Sequence, residues 1–216
     1  MKIYFERSSR FLETPLGIGP RWLLLVAVLL MAPVYLTPLW KMTMFAPQYP
    51  DGLRMQIYSY KLAGGNGGQD VKEINVLNHY IGMHELSTAE FTEFKWIPFV
   101  VGALALLFLR AVVLGRLGTL LDLFVLYVYF GAFSLWSFAF KLYSYGHDLA
   151  PTASVKVPAF MPPLVGHRRL ANFDVYSYPA VGSYALAAIA LVLAAGLYLA
   201  WRQGRADEAV EARVAG

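Results

Sequence analysis

Four long apolar runs dominate the pattern of hydrophobic and polar positions along this 216-residue chain. Each run is long enough for an α-helix that crosses a bilayer, which takes about 20 residues. In lipid, only helices and closed barrels satisfy their own backbone, and runs as continuous as these favour helices. The pattern therefore predicts four transmembrane helices, at residues 21–40, 96–114, 117–143 and 180–201.

The first apolar run is expected to remain in the protein rather than to be removed as a signal peptide. It begins well inside the chain, exceeds the length of a signal core and is followed by no small-x-small cleavage pattern. The segment before it, residues 1–20, mixes apolar and charged side chains. That mixture predicts a segment at the membrane interface.

The distribution of lysine and arginine predicts the orientation. Basic residues are denser in the two terminal segments and in the short turn between the second and third helices than in the two longer loops, residues 41–94 and 144–179. Since cytoplasmic segments carry the excess of positive charge, both termini, including the tail 202–216, are predicted to be cytoplasmic and both loops extracytoplasmic. The net charge of +4 is then explained by membrane anchoring, and no nucleic-acid partner is expected.

The two outer loops carry shorter predicted elements. Residues 53–62 alternate enough for a strand, and the glycine-rich stretch 64–68 is expected to break it as a flexible segment. Apolar positions at helical spacing predict a helix over residues 72–86, and residues 87–90 have the capping-box pattern that starts another helix. The second loop is proline-rich, with a candidate strand at residues 170–178.

The predicted fold class is an all-α membrane protein. It consists of four transmembrane helices and an extracytoplasmic cap of two loops that contain a short helix and a few strands. At 58% hydrophobic and 15% charged residues, the composition agrees with this class. Nothing in the chain resembles a catalytic motif: GxSxG, a phosphate-binding loop, CxxCH and an intramembrane histidine pair are all missing. The sequence therefore predicts a protein that is not an enzyme.

One acidic residue, Asp122, falls inside a predicted transmembrane helix. Ionisable groups in membranes are candidates for function. Asp122 lies near the cytoplasmic end of its helix, close in sequence to Arg110 and Arg116, so a snorkelling ion pair is the favoured interpretation.

All four histidines and five of the seven methionines lie in the two outer loops, and the chain has no cysteine. They are His79, His84, His147 and His167, with Met42, Met44, Met55, Met83 and Met161. Imidazole together with thioether favours copper, Cu(I) especially, over zinc or magnesium. The distribution therefore suggests a copper site on the outer side.

The tightest cluster is His79, Met83 and His84. His79 and Met83 are four residues apart, so on one helix they would share a face and could both touch one ion. His84 would be rotated away and would need a helix end nearby to join them. The alternative is a polar helix face that packs on the second loop, with a histidine bonded to a backbone carbonyl. Further ligands could come from His147, His167 or the methionines at positions 42, 44 and 55.

The second loop offers two histidines of different character. His147 follows directly after the third predicted helix, with Asp148 beside it as a carboxylate that could orient an imidazole. His167 precedes two arginines and is more typical of a surface contact. His147 is therefore the preferred partner for the cluster of the first loop.

Five segments carry a resemblance to a known family, over about residues 20–185. They are Leu39-Trp-Lys-Met, Ala46-Pro-Gln-Tyr-Pro-Asp-Gly-Leu, Ile74-Asn-Val-Leu-Asn-His-Tyr-Ile-Gly-Met83, Tyr145-Gly-His-Asp-Leu and Pro162-Pro-Leu-Val-Gly166. The chain resembles small bacterial membrane proteins with an LNHYIGM motif that accompany the copper-binding accessory lipoprotein of nitrous-oxide reductase. The resemblance implies a copper-handling context rather than an activity. His79, Met83 and His147 match the motifs as copper-contact candidates, whereas His84 and His167 fall outside them.

The predicted function is that of an accessory protein in the bacterial inner membrane. It would bind copper, or hand copper over, on the extracytoplasmic side for a copper enzyme or its chaperone. The predicted metal contacts are His79, Met83, His147 and His84. The alternative is a non-catalytic accessory subunit of a respiratory or copper-oxygenase membrane complex, in which the aromatic third helix and the loops are contact surfaces.

Overall fold

The computed structural model describes residues 11–170 and 172–214 of the chain. The main helices in these ranges are α1 (Ile18–Leu36), α2 (Gln69–Ile81), α3 (Glu93–Leu114), α4 (Leu117–His147) and α5 (Val181–Val214). The strands are β1 (Trp40–Ala46), β2 (Tyr49–Ile57), β3 (Leu62–Gly64), β4 (Gly166–Leu170) and β5 (Phe173–Pro179). Short 3-10 turns occupy Asn66–Gly68 and Thr88–Glu90.

Four of the helices are long and apolar enough to cross a membrane, as the sequence predicts. They are Ile18–Leu36, Glu93–Leu114, Leu117–His147 and the Val181–Asp207 part of α5. The prediction of an interfacial segment at residues 1–20 lies partly outside the described residues. The predicted tail at 202–216 continues α5 as far as Val214.

The chain divides into two compact units. The helical unit contains residues 11–32, 100–131 and 185–214. The sheet unit contains residues 33–99 and 132–184, so it holds the five strands, α2 and the adjoining ends of the four long helices.

The helical unit is built around fully buried side chains from all four of its helices. Those exposed by 2% or less include Leu24, Ala27, Leu104, Phe108, Leu120, Ile189 and Leu193. Arg21 donates from Nε to the Leu16 carbonyl at 3.0 Å and from Nη1 to the Val112 carbonyl at 3.2 Å. Val112 lies in the last turn of α3, where carbonyls lack helical partners, so the guanidinium caps that helix end.

The sheet unit contains one five-stranded antiparallel sheet in the order β3-β2-β1-β5-β4. Alternate residues of the central strands face a core against α2, because successive side chains of a strand point to opposite faces. The buried core residues are Trp40, Met42, Leu53, Met55, Ile74 and Val175. The Trp40 indole also donates to the Ser177 hydroxyl at 2.8 Å, and Ser177 Oγ donates to the Leu164 carbonyl at 3.0 Å.

The predicted fold class, four transmembrane helices with a few strands in the cap, describes the structure only in part, because the strands form one five-stranded sheet. The first predicted transmembrane run extends to residue 40, yet α1 ends at Leu36 and Trp40 already opens β1. An apolar strand that follows an apolar helix leaves no boundary in the hydrophobic pattern, which is why the pattern does not reveal β1. The predicted strand over residues 53–62 is displaced, since β2 begins at Tyr49 and ends at Ile57.

The glycine-rich stretch forms a hydrogen-bonded turn rather than a flexible spacer. Asn66, Gly67 and Gly68 all have positive φ, which glycine and asparagine tolerate best. The buried Asp70 carboxylate accepts from the backbone N–H of Arg54 at 2.9 Å and from Asn66 Nδ2 at 2.7 Å. Asp70 thereby fixes the start of α2 against β2.

Two predicted helix limits are wrong. The helix predicted over residues 72–86 is α2, which begins at Gln69 and ends at Ile81. Ser87 makes no side-chain cap, and residues 88–90 form only a 3-10 turn, so α3 begins at Glu93. The glycine at position 82 ends α2 earlier than the apolar spacing indicates.

Candidate metal site

The C-terminus of α2 is shaped by Gly82. This residue has φ +79°, a left-handed conformation in which a side chain is strained. The N–H of Met83 donates to the Asn78 carbonyl at 2.9 Å and that of Gly82 to the His79 carbonyl at 3.3 Å, the bond pattern of a Schellman motif. Met83 therefore lies beyond the helix.

This helix end changes the predicted metal pair. His79 is exposed in the last turn of α2, whereas the half-buried Met83 follows the turn that ends the helix. The expectation that these two residues share one helical face is wrong, because the face requires a helix that continues through residue 83. The glycine at position 82 is the sequence signal for this helix end, and apolar spacing alone does not include it.

The end of α2 packs against the chain that follows α4. The Gly82 carbonyl accepts from the Ala150 N–H at 2.8 Å, and the Tyr80 carbonyl accepts from the Val155 N–H at 2.9 Å. A Cβ at Gly82 would come within 3.0 Å of Ala150 and Ala153 atoms, so only glycine allows this approach. We call this contact, between residues 78–86 and residues 143–155, the helix-end junction.

Side chains of α4 complete the helix-end junction. The Tyr145 hydroxyl donates to the Glu85 carbonyl at 3.1 Å, and its ring stacks on Phe91 at 5.7 Å between centroids. Gly146 lies under Phe160, whose N–H donates to the Gly146 carbonyl at 3.0 Å. The junction therefore brings Met83 and His84 of the first outer loop into one region with His147 of the second.

His84 is held by a carboxylate. Its Nε2 lies 3.0 Å from Asp148 Oδ2, and both side chains are more than half exposed. An ionised carboxylate only accepts, so Nε2 carries the proton and the neutral ring has its lone pair on Nδ1. The sequence suggests Asp148 as a partner for the adjacent His147, but in the structure Asp148 is hydrogen-bonded to His84. No spacing rule could find this pair, because its members are 64 residues apart.

His147 is held by the backbone. Its Nδ1 lies 2.9 Å from the Tyr143 carbonyl oxygen, and its ring stacks on the Tyr143 ring at 3.8 Å between centroids. Since a carbonyl only accepts, Nδ1 is the donor and the lone pair of the neutral ring is on Nε2. This bond lies within α4 itself, whereas the alternative interpretation of the sequence concerns a histidine of the first loop.

Helical geometry separates the two histidines. Asp148 follows α4 directly, and its N–H still donates to the Ser144 carbonyl at 2.8 Å, so it lies on the same side of the helix end as Tyr145, three residues before it. The His84 ring contacts this side. Tyr143 and His147 share another face, about 200° around the helix from Tyr145 at 100° per residue. His84 and His147 therefore lie on different faces of one helix end rather than side by side.

His167 stands apart from the helix-end junction. It lies on β4, where Nε2 is 2.8 Å from Asp174 Oδ1 and the ring stacks on Tyr176 at 4.5 Å.

Two candidate thioethers are inaccessible to an ion at the surface, because Met42 and Met55 are 3% and 4% exposed in the sheet core. Their burial follows from their alternate positions on β1 and β2.

No three histidine, aspartate or glutamate side chains converge on a common metal position within residues 11–170 and 172–214. Any ion held at the junction would thus use few protein donors.

Searches for a matching protein-family model, a similar curated protein and a similar solved structure each found no significant match to this chain.

Proposed function

We propose that this protein is a membrane-anchored accessory protein that binds copper at the helix-end junction and hands it to a partner. The observation that carries the proposal is the carboxylate-bonded imidazole of His84 directly after the thioether of Met83. Metal-binding histidines usually donate their second ring N–H to a carboxylate or a backbone carbonyl. Both His84 and His147 make such a bond.

Cu(I) is the metal that this chemistry favours. Thioether and imidazole are soft and borderline donors, and Cu(I) accepts them more readily than magnesium or calcium does. Closed structural zinc sites use four ligands, which the junction does not supply. A small number of donors suits an ion that is passed on, so copper is treated as cargo. In this proposal Met83 and His84 are the main contacts, whereas His79 lies in the last turn of α2 and His147 on another face of the end of α4.

The proposal places the junction outside the cytoplasm of a bacterial cell. The support is the excess of lysine and arginine in the terminal segments and in the turn between α3 and α4. Fusing a reporter that is active only in the periplasm to the C-terminus tests the orientation. An inactive reporter there is expected, and an active one would reverse the assignment.

A competition experiment tests copper binding. The detergent-solubilised protein is titrated anaerobically with Cu(I) against a chromogenic Cu(I) chelator. We expect the wild-type protein to bind copper, and His84→Ala and Met83→Ala each to weaken binding about tenfold or more, the scale of losing a ligand contact.

The matched control is His167→Ala. It also removes an exposed histidine that is paired with an aspartate, but on β4 and without an adjacent methionine. We expect its copper affinity to equal that of the wild type. Absence of copper binding in the wild type, or an equal loss in His167→Ala, would contradict the proposal.

One observation favours the second candidate, an accessory subunit without an ion of its own. Exposed aromatic residues recur along α4 at steps of four and three residues. They are Tyr129, Phe133, Trp136, Phe140 and Tyr143. This 3.5-residue period is that of a seam between paired helices. A partner helix from a larger complex would fit the stripe.

Photocrosslinking separates the two candidates. A photoreactive amino acid is placed at Trp136, on the stripe, or at Leu135, beside it; the two side chains are 59% and 54% exposed. Under the second candidate, position 136 crosslinks to another membrane protein and position 135 does not. Equal yields at both positions would mean that the stripe faces lipid.

A further inference from the structure

One end of the sheet is tied directly to the ends of two long apolar helices. β1 begins four residues after α1 ends, and β5 ends two residues before α5 begins. The Ala180 N–H donates to the Leu39 carbonyl at 2.8 Å, and the Gly182 N–H donates to the Pro38 carbonyl at 2.9 Å. We call this the proximal end of the sheet. It must lie near the membrane surface if these helices span the bilayer.

The turn between β2 and β3 belongs to the proximal end. The Leu39 N–H donates to the Ile57 carbonyl at 2.7 Å, and the turn that follows is closed by a 2.9 Å bond from the Tyr58 N–H to the Lys61 carbonyl. Leu39 is three residues beyond Leu36, which is 76% exposed on α1. Three residues span about 10 Å at most, so the turn is close to a lipid-facing side chain.

Aromatic and basic side chains converge at this turn. The Lys61 ammonium lies 5.3 Å from the Tyr58 ring centroid and 5.4 Å from that of Tyr60, both within cation–π range. On the adjoining sheet face, Lys41 stands opposite Tyr178 and Gln56 in the strand register, and all three are exposed. The segments 37–41, 56–61 and 176–182 contain no carboxylate.

The opposite end of the sheet carries charges of both signs. There Asp51 of β2 is exposed, Asp174 of β5 pairs with His167, and the exposed Arg169 of β4 stands opposite Asp174 in the register. In the register, Phe45 of β1 stands opposite Asp174, four positions from Lys41. Carboxylates are therefore present at this end of the sheet, whereas the segments of the proximal end contain none.

We propose that the proximal end of the sheet is a binding site for the phosphate groups of anionic lipids. Lys41 and Lys61 supply the positive charge, and Tyr58, Tyr60 and Tyr178 lie at headgroup level. Tyrosine is enriched at this level because its ring is apolar and its hydroxyl is polar. Basic side chains beside a membrane attract anionic headgroups. The inference is independent of copper binding.

Lipid retention tests the ligand. The full chain is purified from mixed vesicles of phosphatidylglycerol and phosphatidylcholine, and the retained lipids are counted by mass spectrometry. Lys41→Gln and Lys61→Gln are each expected to lower the enrichment of phosphatidylglycerol by up to about fivefold. Lys72→Gln, an exposed lysine on α2, is the control and should leave the enrichment unchanged. Equal enrichment in all variants would overturn the proposal.

Spin labelling tests the location independently of lipid charge. The chain has no cysteine, so Tyr60→Cys and Asp51→Cys each give one labelled position. In vesicles, the label at position 60 should be accessible to oxygen and shielded from a water-soluble nickel complex, whereas the label at 51 should show the reverse. Equal access of the nickel complex to both labels would refute a membrane-contacting proximal end.

Discussion

Two histidine–aspartate pairs in the sheet unit have the same chemistry but different surroundings. His84–Asp148 joins residues 64 apart at the helix-end junction, whereas His167–Asp174 joins residues seven apart on the β4–β5 hairpin. Both use Nε2 toward a carboxylate and both are exposed. A carboxylate-bonded imidazole alone therefore does not distinguish the two places. What distinguishes the junction is the adjacent thioether of Met83 and the convergence of two chain segments.

The largest effect on the free energy of unfolding is expected from glycine substitutions, which should differ between the end of α4 and the β4–β5 hairpin. In Gly146→Ala the new methyl group would overlap the carbonyl oxygen of Phe160, so we expect a loss of about 4 kcal/mol in the free energy of unfolding. In Gly166→Ala, at the start of β4, nothing obstructs the methyl group, and only the positive φ of +99° costs about 1–2 kcal/mol. Thermal unfolding in detergent measures both.

A control for this prediction lies in the same helix as Gly146. A methyl group at Gly131 meets nothing within 4 Å, so Gly131→Ala should leave the melting temperature unchanged or slightly raised. If Gly146→Ala melts like Gly131→Ala, the close packing of Phe160 on Gly146 does not stabilise the end of α4.

The carboxylates provide the next test. We expect Asp148→Asn to lower Cu(I) affinity about tenfold, because the ionised oxygen that orients His84 is lost. Asp174→Asn should have no effect, since His167 is not part of the proposed site. The measurement is competition with the chromogenic Cu(I) chelator. A gain of affinity in Asp148→Asn would instead show that Asp148 competes with the metal for His84.

The Tyr49 side chain is also hydrogen-bonded to a carboxylate, and its contribution to stability gives a scale for the two histidine pairs. Tyr49 of β2 donates to Glu73 Oε2 of α2 at 2.8 Å. This hydrogen bond, with lesser contributions from burial and from the Glu73 charge, raises the pKa of Tyr49 above its usual value of 10. Tyr49→Phe should cost about 1 kcal/mol at neutral pH.

The pH dependence of that cost follows from the direction of the shift. A raised pKa in the folded state means that the stabilisation is complete below pH 10 and is lost as the pH rises through the folded-state pKa. The difference between wild type and Tyr49→Phe should thus be constant from about pH 6 to 9 and shrink above about pH 10. Unfolding by urea at each pH gives the measurement. A difference that grows above pH 10 would contradict the assigned bond.

The smallest effect is expected from the pairs themselves. Double-mutant cycles on His84–Asp148 and on His167–Asp174 should each give a coupling of about 0.2–1 kcal/mol in the free energy of unfolding, since exposed pairs of side chains contribute little. A coupling well above about 1 kcal/mol for His84–Asp148 alone would make that pair a structural clamp.

The hydrophobic pattern predicts the long helices because bilayer thickness sets a length that few other structures require. It predicts strands at residues 53–62 and 170–178, which overlap β2 and β5, but not their assembly into a five-stranded sheet. β1 follows α1 without a polar boundary, and β2 contains Pro50, Asp51 and Gly52, which are typical of turns. These residues can lie in a strand because β2 pairs with β1, and this tertiary contact is not visible in the local sequence.

The candidate site is predictable in composition but not in arrangement. The histidines and methionines of the two outer loops are enough, as residue types, to indicate imidazole and thioether chemistry. The geometry depends on Gly82, which ends α2 before Met83, and on Asp148, which bonds to His84 across 64 residues. Contacts between distant segments leave no periodic signal in a single sequence.

The position of β1 in the sheet has a consequence for biosynthesis. Its neighbours are β2, which follows at once, and β5, which arrives only near the end of translation; Trp40 and its bonded partner Ser177 are 137 residues apart. At ribosomal rates this delay is on the order of ten seconds. During that time one edge of β1 is open, and unpaired edges invite pairing with other chains. Completion of the sheet therefore waits for the last strand, and a nascent chain stalled before residue 173 would present this edge to its surroundings.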